Sequence, residues 1–304
     1  MVARWICRLV VAVLLLVAAG CTRLQRYELV ASALPPESLI EVDGRWVHVR
    51  RWGAGGRPLV LLHGFGVSSY SFRELGPRLA PGRRVVAIDL NGFGYTERPE
   101  RADAYSREGQ VALVAGVMKR LHLRCADLVG HSYGGDLALR FASSHPDRVR
   151  RLVLISPALD MQVGPQAGLR SPALRALLYP LLRWLLSNPD SFHALLATAF
   201  HRTEVLNREV SEEFRYQLLV EGLGRAYRGF GDSLAELERR SPGIQAPRHP
   251  VLVLAGRHDR IVPLDALRRQ LPPEIPLEVL EHSGHSAAEE QPGELARRIR
   301  EFLR

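Results

Sequence analysis

Apolar residues in this chain gather into short continuous runs. Pro58 to Leu62, Val85 to Ile88, Ala126 to Gly130, Val149 to Ile155, Pro250 to Ala255 and Leu277 to Leu280 are four to seven residues long. Runs of this length with little polar interruption fit strands buried on both faces. Between them, Ser69 to Ala80, Ser106 to Leu121, the segment from the end of the third run to Ser144, and Ser286 to Leu303 carry helical spacing. The alternation predicts an α/β fold: a mostly parallel central sheet flanked by helices. Ile40 to Asp43 and Trp46 to Trp52 alternate in polarity instead, and the Asp43-Gly44 pair between them predicts a tight hairpin.

The pattern breaks once. From Pro157 to about Ala246 no convincing strand occurs, while leucines crowd the helical segments around Trp184. Residues 157–246 are therefore expected to form a helical lid inserted into one sheet, whose core comprises 39–156 and 247–304. Residues 21–38 contain Pro35-Pro36 and no clear apolar period, so they read as a tether.

The first residues form a separate unit. Arg4 and Arg8 precede an apolar run from Leu9 to Ala19 that ends in Ala18-Ala19-Gly20-Cys21. The run is too short to span a bilayer and has the anatomy of an exported leader, giving residues 1–20 as a signal peptide. The small residues before Cys21 resemble a bacterial lipoprotein signal, which implies lipidation of that cysteine and a membrane-anchored place in the cell envelope. That pattern prefers Leu where Ala18 stands. With Cys7 lost in the leader and Cys21 acylated, Cys125 would remain alone, with no role beyond packing.

The formal charge is +9, and Lys119 is the only lysine. The arginines are spread along the chain rather than clustered, and no nucleic-acid motif accompanies them, so no nucleic-acid partner is expected. Attraction to anionic lipid is the secondary reading.

Gly130-His131-Ser132-Tyr133-Gly134 fits G-x-S-x-G between a strand and a helix, the context that makes such a serine a nucleophile. The plainer alternative is a helix start capped by Ser132. A serine hydroxyl needs an imidazole to take its proton and a carboxylate to orient that imidazole. His285, in the loop after the last strand, is the preferred base over His282, because Gly284 gives it a flexible approach. His131, His63, His145 and His258 read as structural. Asp259, just past a strand end, is the preferred acid, with Asp160 as runner-up. The backbone N–H groups of Phe65 and Tyr133 are the candidate oxyanion donors, each typically worth about 2.7 to 4 kcal/mol in the transition state.

The stretches L-V-L-L-H-G-F-G, D-L-N-G-F-G-Y-T-E-R-P, V-G-H-S-Y-G-G, V-L-V-L-A-G-R-H-D-R-I-V-P and S-G-H together resemble the α/β-hydrolase-fold enzymes across roughly residues 40–304. The resemblance departs at Asn91, where the family commonly has Pro, and at Thr96, where it commonly has Ser, in a loop expected near the active-site mouth. It implies a serine hydrolase of carboxylic esters, esterase- or lipase-like, acting on a small-molecule or lipid ester. A carbon–carbon bond hydrolase of ring-fission products is the alternative on the same scaffold; a cytoplasmic degradative role would not need the leader. A lipid-anchored binding protein without catalysis is the alternative of another kind. No metal-ligand spacing or nucleotide-binding loop occurs, so no cofactor is expected.

Overall fold

The computed structural model describes residues 23–159, 171–237 and 248–304. The expectations for the leader, Cys21 and Asp160, and for 160–170 and 238–246 of the lid insertion, fall outside these residues. Eight strands form one sheet: β1 (Leu39–Val42), β2 (Arg45–Trp52), β3 (Arg57–Leu62), β4 (Arg83–Ile88), β5 (Ala126–His131), β6 (Val149–Ile155), β7 (Val251–Gly256) and β8 (Leu277–Leu280). Their spatial order is β1-β2-β4-β3-β5-β6-β7-β8. The β1–β2 hairpin is antiparallel, β2 runs antiparallel to β4, and every other pair is parallel.

The helices in chain order are α1 (Tyr27–Ala33), α2 (Leu75–Leu79), α3 (Arg107–Arg120), α4 (Tyr133–Ser144), α5 (Pro172–Ser187), α6 (Pro189–Ala197), α7 (Arg208–Leu218), α8 (Leu223–Leu237), α9 (Leu264–Gln270), α10 (Ala287–Glu290) and α11 (Pro292–Phe302). Side chains alternate across a strand. Val60, Leu62, Val86, Ile88, Leu128 and Leu154 accordingly pack on one face with residues of α3 and α4, and Leu59, Leu61, Val85, Val129 and Val153 on the other with residues of α2 and α11. Burial on both faces is why these strands read as unbroken apolar runs; each such side chain contributes about 1.5–3 kcal/mol. Helices α5 to α8 follow β6 and precede β7, and they close over a smaller core of their own that includes Phe192, Phe200 and Phe214.

Three local expectations change. The helix expected over Ser69 to Ala80 divides into a short 3-10 turn, Ser69–Phe72, whose first N–H donates to buried Asp89 at 2.7 Å, and α2. The terminal helix breaks between α10 and α11 at Pro292, whose ring removes a donor and pushes Gln291 out of helical geometry, to φ −137° and ψ 52°. Residues 25–38, read as tether, are instead docked. Gln25 pairs with Val220 in a parallel bridge, its N–H donating to the Leu219 carbonyl at 2.8 Å and its carbonyl accepting from Glu221 N–H at 2.9 Å. Val30 of α1 is buried. The apolar period of this segment is too short to register in sequence, yet its backbone finds partners.

The end of the sheet away from the strand tips is tied by charge. Asp127 has no exposed side-chain surface and accepts from Arg83 Nη1 at 2.7 Å, while Arg83 Nη2 donates to the Leu303 carbonyl at 2.7 Å. Asp127→Ala leaves that half-enclosed guanidinium uncompensated and should lower unfolding free energy by about 3–5 kcal/mol, read as a lower urea midpoint at constant m.

Candidate active site

Parallel strands bring their carboxyl ends to one edge, and loops leaving that edge converge. At the tip of β5 the chain turns sharply: Ser132 has φ 53° and ψ −116°, outside the regions ordinary side chains favour. Such a conformation costs on the order of 1–3 kcal/mol. It persists because nothing near it has room to relax. A Cβ on Gly130 would lie 2.2 Å from the Gly134 carbonyl oxygen, and one on Gly134 would lie 2.2 Å from that of Leu62. The Ser132 N–H donates to the Ile155 carbonyl at 2.9 Å, fastening the elbow to β6. Ser132 precedes α4 in the capping position, but its side chain makes no capping hydrogen bond. Its hydroxyl is not spent on the helix, which answers the plainer reading of this serine.

The histidine comes from the loop after β8. His285 is buried, whereas His282 is exposed. His285 Nδ1 lies 2.8 Å from Asp259 Oδ2. The other carboxylate oxygen accepts the N–H groups of Ile261 at 2.9 Å and Val262 at 2.8 Å. Burial works to raise the Asp259 pKa, but the hydrogen bond from His285 and the Val262 N–H hold it below the usual carboxylate value. An anionic acceptor fixes the proton on Nδ1 and leaves Nε2 as the basic nitrogen of His285.

His131, immediately before Ser132, joins the two loops. Its Nε2–H donates to the His285 carbonyl at 2.8 Å, and the two rings lie 4.8 Å apart. Burial, then the nearby His285, lower its pKa to about 3. His131 is thus a neutral strut between the serine and histidine loops. It was expected to be structural; what it holds was not visible in sequence.

The loop after β3 supplies the third side of the site. A Cβ on Gly64 would sit 3.2 Å from Ser132 Cβ, so the backbone leading to Phe65 passes directly beside the serine. Tyr133 opens α4, where N–H groups lack intrahelical partners and suit an anion. Burial keeps His63 neutral by lowering its pKa. Its Nε2 accepts from Leu90 N–H at 3.0 Å, leaving Nδ1–H to donate to the Gly64 carbonyl at 2.7 Å. Phe65 packs edge-on against Phe93, Tyr133 and Phe230, giving the site an aromatic wall to which α8 of the lid contributes.

Two buried carboxylates organise these loops, and neither stood out in the sequence. Asp89 accepts His48 Nδ1–H at 2.7 Å and the N–H groups of Ser69 and Tyr95. Burial opposes its ionisation, but the adjacent His48 holds its pKa well below the carboxylate range. Glu290 accepts three backbone N–H groups: Gly284 at 2.9 Å, His201 at 2.9 Å and Arg202 at 2.8 Å. It therefore joins the histidine loop to the lid. The only signals available were an aspartate directly after an apolar run and a glutamate five residues after His285. Asn91 and Thr96, the departures from the family pattern, are buried rather than at a mouth; Asn91 bonds Gln110, Ala104 and Arg45, and Thr96 Oγ1 donates to the Asp89 carbonyl.

This sheet, elbow and carboxylate–histidine pair define a hydrolase-type scaffold. The alpha/beta hydrolase fold family matches residues 57–292, and the chain belongs to that family. It is 36% identical over 224 residues to a 2-hydroxymuconate semialdehyde hydrolase of Pseudomonas sp. strain CF600, covering 69% of this chain and 72% of that protein. It is 34% identical to a 2-hydroxy-6-oxo-2,4-heptadienoate hydrolase of Pseudomonas putida, covering 82% and 89%. The solved structure of a 2-hydroxy-6-oxo-6-phenylhexa-2,4-dienoate hydrolase from Rhodococcus sp. strain RHA1 superposes with a TM-score of 0.70 at 26% identity, covering 88% and 97%.

Two outcomes test the loop architecture. His131 is neutral when folded down to about pH 3, whereas a free histidine takes a proton near 6.5. The unfolded state binds more protons in that window, so stability should fall as pH drops from about 6.5 towards 3. Urea midpoints at pH 7 and 5 measure the slope; His131→Asn should reduce it without abolishing it, because buried His63 acts in the same sense. Glu290→Ala strands N–H groups that each cost about 1–3 kcal/mol unpaired, and should lower stability by at least about 2 kcal/mol by the same measurement.

Proposed function

We propose that this chain is a serine hydrolase that breaks a carbon–carbon bond of a 2-hydroxy-6-oxo-dienoate. The similarity to the two Pseudomonas hydrolases, over more than two-thirds of each chain, is the observation that carries the reading. It reverses the order of the two enzymatic expectations drawn from the sequence, in which ester cleavage came first.

In this reading Ser132 is the nucleophile, His285 the base and Asp259 its orienting carboxylate. Carbon is a poor leaving group unless its electron pair can be delocalised. Shifting the 2-hydroxy enol to its keto form places a proton on C5 and a carbonyl at C2, conjugated to the C3–C4 double bond. Ser132 Oγ adds to the C6 carbonyl as His285 Nε2 takes its proton, and the N–H groups of Phe65 and Tyr133 hold the oxyanion. Collapse breaks C5–C6, and the electron pair runs through the double bond to the C2 oxygen, which regains the proton. Water activated by His285 then releases the C6 acyl group as an acid. An ester needs no such delocalisation and would use the same Ser132, His285 and Asp259, which makes ester cleavage the second reading.

The leader and Cys21 support export and lipid anchoring of the enzyme at a membrane.

A fluorophosphonate probe should label the protein, and Ser132→Ala should lose both labelling and turnover. Asp259→Asn should lower kcat by about 10⁴-fold at unchanged fold. Loss of the conjugated absorbance of 2-hydroxymuconate semialdehyde should proceed with a higher kcat/KM than hydrolysis of nitrophenyl esters of two to twelve carbons, roughly spanning short and long acyl chains. The reverse ranking would select the ester reading, and a folded protein that takes no label would sink both.

A further inference from the structure

The docked N-terminal segment leaves little slack between any anchor and the fold. Gln25 is held by Val220 and its neighbours in the turn between α7 and α8, and Leu24 packs on the lid core. From Cys21 to Gln25 there are four residue steps, which reach at most about 14 Å when fully extended. An acyl group on Cys21 therefore enters its bilayer beside the lid, whereas a free tether of residues 21–38 would have left the orientation open.

The lid helices and the N-terminal segment clasped to them also carry unpartnered apolar surface. Among the described residues, six of the eight large apolar side chains that stand exposed, Leu29, Leu174, Leu177, Leu181, Leu195 and Tyr216, belong to α1 or to lid helices. On α5 the residues Leu174, Leu177 and Leu181 follow helical spacing along one exposed face. Leu186, on the same helix, instead enters the lid core, with Tyr179 and Leu182 packed against it. One helix thus has two apolar aspects, and only one is covered. Exposed apolar surface concentrated in this way marks an interaction site. Once Arg4 and Arg8 leave with residues 1–20, the net charge of +9 falls to +7, which still favours an anionic surface over a neutral one.

We infer that the lid is a membrane-docking surface: the chain lies with α1 and the outer leucine face of α5 against the anionic phospholipid bilayer that carries its anchor. The inference rests on acylation of Cys21 but not on the chemistry of Ser132. It gives the lid a task apart from covering the site.

The experiment uses the full chain, processed and acylated, reconstituted in vesicles of phosphatidylethanolamine and phosphatidylglycerol. In a Cys125→Ser background, Leu177→Cys or Arg300→Cys carries a bimane fluorophore, and the vesicles contain lipid with a nitroxide quencher on the acyl chain. Arg300 is exposed on α11, outside the lid. Docking predicts severalfold stronger quenching at 177 than at 300, weakened when phosphatidylglycerol is omitted. Equal quenching at the two positions of vesicle-bound protein would overturn the inference, as would shielding at 177 that tracks protein concentration, the mark of a self-association face. Mass spectrometry finding no acyl group on Cys21 overturns it as well. The expected quenching pattern in a protein without hydrolase turnover would support docking and count against the proposed chemistry alone.

Discussion

Where β5 turns into α4 there is no space for a side-chain carbon. Gly130 meets Gly134 across the turn, and Gly134 lies against the backbone at the end of β3. This contact holds Ser132 at a positive φ and presents it at the carboxyl edge of the sheet. The neighbouring loop at Gly64 can then approach within van der Waals distance. The elbow is thus a constraint on three elements at once, and the geometry of the site follows from backbone packing before any side-chain chemistry enters.

Loops at such an edge must satisfy their backbone N–H groups away from water, and here buried carboxylates do much of that work. Asp89 gathers the turn after β3 and the loop after β4, Asp259 takes the N–H groups that follow it, and Glu290 binds the His285 loop to the lid segment at His201 and Arg202. Each is anchored by several donors, which repay the loss of hydration that an isolated buried charge would suffer. Rigid loops of this kind are what preorganised catalysis requires. The same bonds make the lid part of the site, because moving Ala199 to Arg202 would pull on both Gly284 and His285.

The sheet, the hairpin and the helical stretch between β6 and β7 were legible in the sequence for simple reasons. Strands covered on both faces leave unbroken apolar runs, Asp43-Gly44 fits a positive-φ turn, and a long interruption without strands marks an insertion. Ser132, Asp259 and His285 were legible as residue types in the right order at strand ends. The breaks at Ser69 to Ala80 and at Pro292 were not, although Pro292 carried the signal, because helical spacing continues across both. The docked segment from Gln25 to Ser38 was missed for a different reason: its bonds run to residues about 190 positions away, beyond the reach of local pattern.

The sequence by itself determined what is periodic or local: the α/β alternation, the glycines of the elbow, the candidate nucleophile and its order relative to acid and base. Tertiary structure alone decided what depends on distance between remote segments. It selected His285 over His282 by burial and by the 2.8 Å contact with Asp259, made His131 a strut instead of a bystander, and gave Glu290 three distant N–H groups to hold. It also turned a presumed tether into a strand-like clasp on the lid. Hydrogen bonding and burial are pairwise in space, whereas hydrophobic periodicity is a property of one segment, and only the latter is written along the chain.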